Sequence, residues 1–119
     1  MNKFIYMPFA ALALISCDSH TYDEIGEQNI IDGPVTYNAN VKTIIDNNCV
    51  VCHSSGGSAS FRPFTTYAEV KAGVEEAGLL DRIQRQNGEP GAMPSTGRMP
   101  QSNIDVILQW NTDGLLETE

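Results

Sequence analysis

The chain has 119 residues, the size of a single domain. Fifteen Asp and Glu residues outweigh seven Lys and Arg residues, so the formal net charge is −8 at pH 7. This acidic balance favours solubility and argues against nucleic acid, and against anionic membrane surfaces, as partners. A second interpretation of the charge is electrostatic steering towards a basic partner protein.

Residues 1–16 have the pattern of a secretory signal peptide. A positively charged start at Lys3 precedes an apolar run that is too short to span a membrane as a mature helix. The run ends in Leu14–Cys17, L-I-S-C, which resembles the bacterial lipobox. The resemblance implies export, cleavage before Cys17 and a lipid on that residue. The alternative is an ordinary signal peptide that a Cys follows by chance.

Residues 17–35 are polar and acidic, and we interpret them as a flexible tether to a domain at residues 36–117. His20 lies in this tether, where a solvated side chain is a simpler interpretation than a metal ligand.

A helix of about two turns is predicted at the start of the domain. Val41, Ile44 and Ile45 fall on one of its faces, and Asn38 or Asn40 is the candidate N-cap. Ile44 or Ile45 is expected to pack on the last helix.

This helix leads into Cys49–His53, a C-x-x-C-H sequence, which is the attachment signature of a c-type haem. In this interpretation, both thiols form thioethers with the haem vinyl groups, and the adjacent imidazole can supply a ligand to the iron. A redox disulfide is a competing interpretation, but it usually comes with a βαβ pattern, which is lacking here. A structural zinc site is another, but it needs four ligands, usually as two such pairs.

A predicted loop with Gly56 and Gly57 follows the motif and ends in the sequence Phe61–Phe64. The backbone carbonyl of Pro63 is a candidate acceptor for the ring nitrogen of His53 that faces away from the metal. Ordinary loop packing is the alternative for Pro63.

Two more helices are predicted next. Thr66 and Glu69 have the spacing of a capping box. The apolar residues then recur at helical spacing: Tyr67, Val70, Val74 and Ala77. Gly78 ends this helix, and a short one follows from Leu79 to near Gly88.

Residues 88–100 contain three Gly and three Pro and are predicted to be irregular. They include two Met-Pro pairs, at Met93 and Met99. A thioether suits haem iron, and Met/His ligation raises the reduction potential. One Met is therefore a candidate axial ligand, and the other fills a gap in the core.

The last predicted helix has Ser102 as N-cap and Asp105 in its first turn. Its apolar stripe comprises Ile104, Ile107, Leu108, Asn111 and Leu115, with Val106 and Trp110 on the flank. Trp110 is expected in the core.

The order of these features resembles a small class I cytochrome c domain. More narrowly, residues 36–117 are similar to the single-haem domains in lipoproteins of Bacteroidetes-type bacteria. The matching positions are Asn48–His53, Gly56–Gly57, Thr66–Tyr67 with Val70, Met93–Pro94 with Gly97, and Trp110.

The resemblance implies an all-α, small cytochrome c-like fold of three to five helices around one covalent haem c. It also implies that Cys49 and Cys52 anchor the haem, that His53 is the proximal ligand and that Met93 is the distal ligand. The second Met-Pro pair departs from the family pattern and leaves Met99 as a rival to Met93.

The expected function is electron transfer by a membrane-anchored, extracytoplasmic monohaem c-type cytochrome. An enzyme is not expected, because two filled axial positions leave no open site for a substrate. The expected partners are redox proteins and, through the lipid on Cys17, a bacterial membrane, on its periplasmic side or at the cell surface. The alternatives are a gas- or peroxide-handling haem protein with a labile distal position, and a haem module docked to a larger redox enzyme.

Overall fold

A computed structural model describes residues 31–119. The predicted signal peptide, Cys17, His20 and most of the tether lie outside the described residues. The described part begins with a π-helical turn and continues with four α-helices: Tyr37–Val41, then α1 Lys42–Asn48, α2 Tyr67–Glu76, α3 Leu79–Gln84 and α4 Gln101–Thr112.

Residues 31–119 contain no β-strand, only an isolated bridge between Thr36 and Leu116. This helical architecture agrees with the predicted all-α class. No helix in this part of the chain is long and apolar enough to cross a membrane.

The helical region begins at Thr36, so the prediction of Asn38 or Asn40 as N-cap is wrong. The Thr36 hydroxyl accepts a hydrogen bond from the Ala39 N–H at 3.3 Å. The Asn40 side chain instead reaches back and accepts one from the Thr36 N–H at 2.9 Å. The two polar side chains thus satisfy backbone donors in both directions, as a capping box does.

Three aromatic rings form the centre of the core. The ring centroid of Tyr37 lies 5.6 Å from that of Tyr67 and 6.0 Å from that of Trp110. Trp110 is fully buried, as predicted, and its Nε1–H donates to the Leu116 carbonyl at 2.8 Å. The Tyr67 hydroxyl donates to the Leu115 carbonyl at 2.8 Å. These bonds tie α2 and α4 to the C-terminal turn.

Buried aliphatic side chains from every helix surround the aromatic rings. They include Val41, Ile45, Val70, Ile83, Ile104 and Ile107. Each such side chain contributes roughly 1.5–3 kcal/mol when it leaves water. Ile45 shares this core with two isoleucines of α4, while Ile44 is half-buried beside it.

The capping box of α2 is confirmed. The Glu69 N–H donates to the Thr66 hydroxyl at 3.3 Å, and the Glu69 carboxylate accepts from the Thr66 N–H at 3.0 Å. The hydrogen bond from the Thr65 hydroxyl is the main cause that lowers the pKa of the Glu69 carboxyl, and burial opposes it with a smaller effect. The folded-state pKa lies below the unfolded one, so this contribution to stability is present at neutral pH. It is lost as the pH falls through the lowered pKa.

Gly78 separates α2 from α3 in the left-handed conformation, with φ of +67°, as the predicted break requires. α3 ends at Gln84, earlier than the predicted end near Gly88.

The predicted N-cap of α4 is wrong. Pro100 holds that position with φ of −52°, and Ser102 lies inside the helix. The Pro100 carbonyl accepts the first backbone hydrogen bonds, from Asn103 at 3.1 Å and Ile104 at 3.3 Å. The start of α4 therefore has no side-chain cap.

Replacing Thr66 by Ala is expected to lower the free energy of unfolding by about 1 kcal/mol, since it removes a side-chain cap. Ser102→Ala is the matched control and is expected to leave stability unchanged, because the Ser102 hydroxyl caps nothing. Urea denaturation followed by circular dichroism measures both. An equal loss in the two variants would contradict the cap assignments.

Candidate functional site

A cavity of about 300 Å³ lies beside the C-x-x-C-H turn, at the lower end of the range for cofactor sites. Its walls include Cys49, Cys52, His53, Met93 and two apolar residues of α3, Leu79 and Ile83. The structure therefore brings the predicted anchors and both predicted ligands to one cavity. Met99 does not line it and is buried in the core with 3% of its surface exposed.

The orientation of the His53 ring is fixed by the backbone of the following loop. Its Nδ1 lies 2.7 Å from the carbonyl oxygen of Arg62. A carbonyl can only accept a hydrogen bond, so Nδ1 carries a hydrogen, and in the neutral imidazole the lone pair is then on Nε2. That is the state in which a histidine binds a metal through Nε2. The predicted acceptor, the Pro63 carbonyl, is wrong by one residue.

Phe64 supports this arrangement from the other end of the loop. Its N–H donates to the His53 carbonyl at 2.8 Å, and its ring stacks on the imidazole with centroids 4.5 Å apart. Gly73 of α2 makes room for that ring, because a Cβ there would lie 2.7 Å from a Phe64 ring carbon. This role of Gly73 was not predicted.

The motif forms a tight turn at the C-terminal end of α1. The Cys49 N–H donates to the Ile45 carbonyl at 2.8 Å, which continues the helix. The Cys49 carbonyl then accepts from the N–H groups of Cys52 at 3.2 Å and His53 at 2.9 Å. This turn places two thiols and an imidazole beside the same cavity.

Both thiols of the motif are free and half-buried. Burial, with a smaller effect of the neighbouring Cys52, raises the pKa of the Cys49 thiol to about 11. Cys49 is therefore protonated at neutral pH and a poor nucleophile. This disfavours the competing interpretation of the pair as a redox disulfide, whose attacking thiol has a lowered pKa.

Gly57 packs directly on the motif. A Cβ at this position would lie 2.2 Å from the Cys52 carbonyl oxygen, which accepts a hydrogen bond from the Ala59 N–H at 3.0 Å. The neighbouring Gly56 has φ of +85° and open space around it. The Gly56–Gly57 pair predicted a loop from the sequence, but the close contact of Gly57 with Cys52 is seen only in the structure.

Met93 belongs to residues 86–100, which lie between Arg85, the C-cap of α3, and the start of α4, and which we name the Met93 loop. The Met93 N–H donates to the Arg82 carbonyl of α3 at 3.1 Å, and the Met93–Pro94 peptide bond is cis. Farther along, the Arg98 N–H donates to the Asn87 side chain at 2.7 Å. The loop is thus fastened to α3 and to itself.

The charge around the cavity differs from that of the whole chain. Arg62 and Arg82 line the cavity, and no Asp or Glu does so among the described residues. The exposed ring of Phe61 also lines it. In a chain of net charge −8, this cavity favours a ligand that is apolar and carries negative groups. Sequence analysis missed both arginines.

Residues 31–119 hold no group of three or more His, Cys, Asp and Glu side chains placed to bind a metal ion.

Comparisons of the chain with protein-family models, with curated proteins and with solved structures found no match.

Gly57→Ala is expected to cost about 3 kcal/mol of stability, because the added methyl group meets backbone atoms that cannot rotate away. Gly56→Ala is the matched comparison, with a cost of about 1 kcal/mol from its left-handed backbone alone. Urea denaturation of both variants measures the difference. Equal costs would contradict the packing of Gly57 on Cys52.

Proposed function

We propose that the cavity holds one covalent haem c and that the protein is an electron carrier. Cys49 and Cys52 are the covalent anchors, His53 is the proximal ligand and Met93 is the distal ligand. The observation that carries the proposal is that these four side chains line one cavity, with Nδ1 of His53 bonded to a backbone carbonyl so that Nε2 is the ring nitrogen left for a metal. A haem bound there supplies a one-electron couple between ferrous and ferric iron.

The residues present fit this cofactor in three ways. The donor set, an imidazole and a thioether, is that of cytochromes c. Apolar side chains such as Leu79 and Ile83 suit the porphyrin ring. Arg62 and Arg82 suit its two propionate groups, because guanidinium groups bind carboxylates well.

The positions of the two methionines favour Met93 as the distal ligand. Met93 is half-buried and lines the cavity, whereas Met99 is buried among core residues. Met99 then has the gap-filling role that a flexible thioether suits.

His53 contributes more than a donor atom. Its hydrogen bond to the Arg62 carbonyl holds the ring in one orientation and makes Nε2 a stronger ligand for a metal. If His53 and Met93 both bound the haem iron, no coordination position would be open to a substrate, so the proposed role is electron transfer and not catalysis.

The four α-helices, and the order in which the C-x-x-C-H motif and Met93 fall between them, support a class I cytochrome c-like fold for residues 36–117. We propose that the domain works outside the cytoplasm, tethered to a membrane by a lipid on Cys17. Sequence alone supports this location, through the apolar run that ends at Cys17. A tethered carrier serves redox partners within reach of its membrane.

Met93→Leu is expected to convert the haem from low-spin to high-spin and to let carbon monoxide bind the ferrous form, because the variant keeps side-chain volume but lacks the thioether. Met99→Leu is the matched control and is expected to keep the low-spin spectrum, with a stability change below about 1.5 kcal/mol. Absorption spectra of both purified holoproteins measure this.

The opposite pattern, with Met99→Leu losing the low-spin spectrum, would contradict the assignment of Met93. A wild-type protein that is high-spin and binds carbon monoxide rapidly would contradict the carrier itself. It would favour a ligand-binding haem protein.

A haem-free Cys49→Ala/Cys52→Ala variant is expected to be poorly folded. A domain of this size buries a marginal core, and a haem in the cavity would add apolar contacts that the haem-free chain lacks. Urea denaturation followed by circular dichroism tests this. A cooperative, native-like transition would show that the core suffices alone.

A further inference from the structure

Arg82 of α3 and Arg85, the C-cap residue of that helix, bind the backbone of the Met93 loop. Arg82 Nη1 donates to the Gly91 carbonyl at 3.3 Å, and Arg85 Nη1 donates to the Pro90 carbonyl. The Arg82 carbonyl accepts the hydrogen bond from the Met93 N–H described above. Three hydrogen bonds therefore join the end of α3 to the short stretch that leads into Met93.

Gly91 is the point where both guanidinium groups meet the loop. Its φ is +77°, and a Cβ there would lie 2.6 Å from Arg85 Nη1 and 2.9 Å from Arg82 Nη1. Any side chain at this position would push both guanidinium groups away. Glycine thus allows the backbone conformation and also the close approach of the two arginines.

Asp81 orients one of these arginines. Its Oδ2 lies 2.5 Å from Arg85 Nη2, one helical turn away. Arg85 can bind the carboxylate and the Pro90 carbonyl together because a guanidinium presents several donors in a rigid plane. A lysine ammonium at this place would not reproduce that geometry.

We propose that Arg82 and Arg85 are positioning residues that hold the Met93 loop on α3 and so keep the Met93 thioether at the cavity. The part that concerns ligation rests on the proposed function. Residues 88–100 have three Gly, three Pro and no regular structure, so contacts with α3 decide how often the loop opens. The guanidinium groups of Arg82 and Arg85 supply such contacts to Gly91 and Pro90, which closely precede Met93 in the chain.

The test uses the haem-loaded protein, with Arg82→Gln/Arg85→Gln as the main variant. Hydrogen exchange of the Met93 amide, followed by NMR, reports opening of the loop. The rate at which cyanide binds the ferric protein reports departure of the distal ligand. Both rates are expected to rise about tenfold, the scale of one lost charge-assisted hydrogen bond.

Two controls separate the loop contacts from charge and from backbone strain. Lys42→Gln/Lys71→Gln removes the same charge at an exposed position of α1 and a half-buried position of α2, and is expected to change neither rate. Gly91→Ala is expected to reproduce the arginine effect. Gly88→Ala carries similar strain, with φ of +87°, but nothing lies within 4 Å of its Cβ, so its effect is expected to be several-fold smaller.

Unchanged exchange of the Met93 amide in the double arginine variant would overturn the proposal. Faster exchange with an unchanged cyanide rate would overturn the link to the ligand. A wild-type ferric protein that already binds cyanide without delay would overturn Met93 ligation, and hence the proposed carrier, while the amide exchange still decides the role of the arginines.

Discussion

The hydrogen bonds accepted by the Cys49 carbonyl form the constraint on which the site depends. They close the chain into a tight turn at the end of α1, and this turn places Cys49, Cys52 and His53 beside one cavity. Gly57 lies against the same turn, and the Arg62 carbonyl fixes the imidazole that follows it. A shift of this backbone would move both thiols and the imidazole together.

Met93 is held at the cavity in a different way from the C-x-x-C-H turn. No regular structure carries Met93, and its place at the cavity comes from contacts between its loop and α3. Two arginines take part in these contacts, and Arg82 also lines the cavity. Positive charge in a strongly acidic chain is thus concentrated where an apolar ligand with carboxylates would lie.

Local patterns predicted the local structure well. The capping box at Thr66 and Glu69 and the break at Gly78 depend on nearby residues alone, and both were predicted. The acceptor for His53 and the close contact of Gly57 depend on the path of a loop, which spacing does not determine. The start of α4 was misplaced because the helix begins directly after Pro100, two residues earlier than predicted, without a side-chain cap.

The decisive question is whether the chain carries one covalent haem. The protein is purified from a host that matures cytochromes c, and its mass is measured together with a pyridine haemochrome spectrum. We expect one covalent haem per chain, with Cys49 and Cys52 unreactive towards alkylating reagents even when the chain is unfolded in denaturant. A chain without added haem mass, with both thiols open to alkylation, would contradict it.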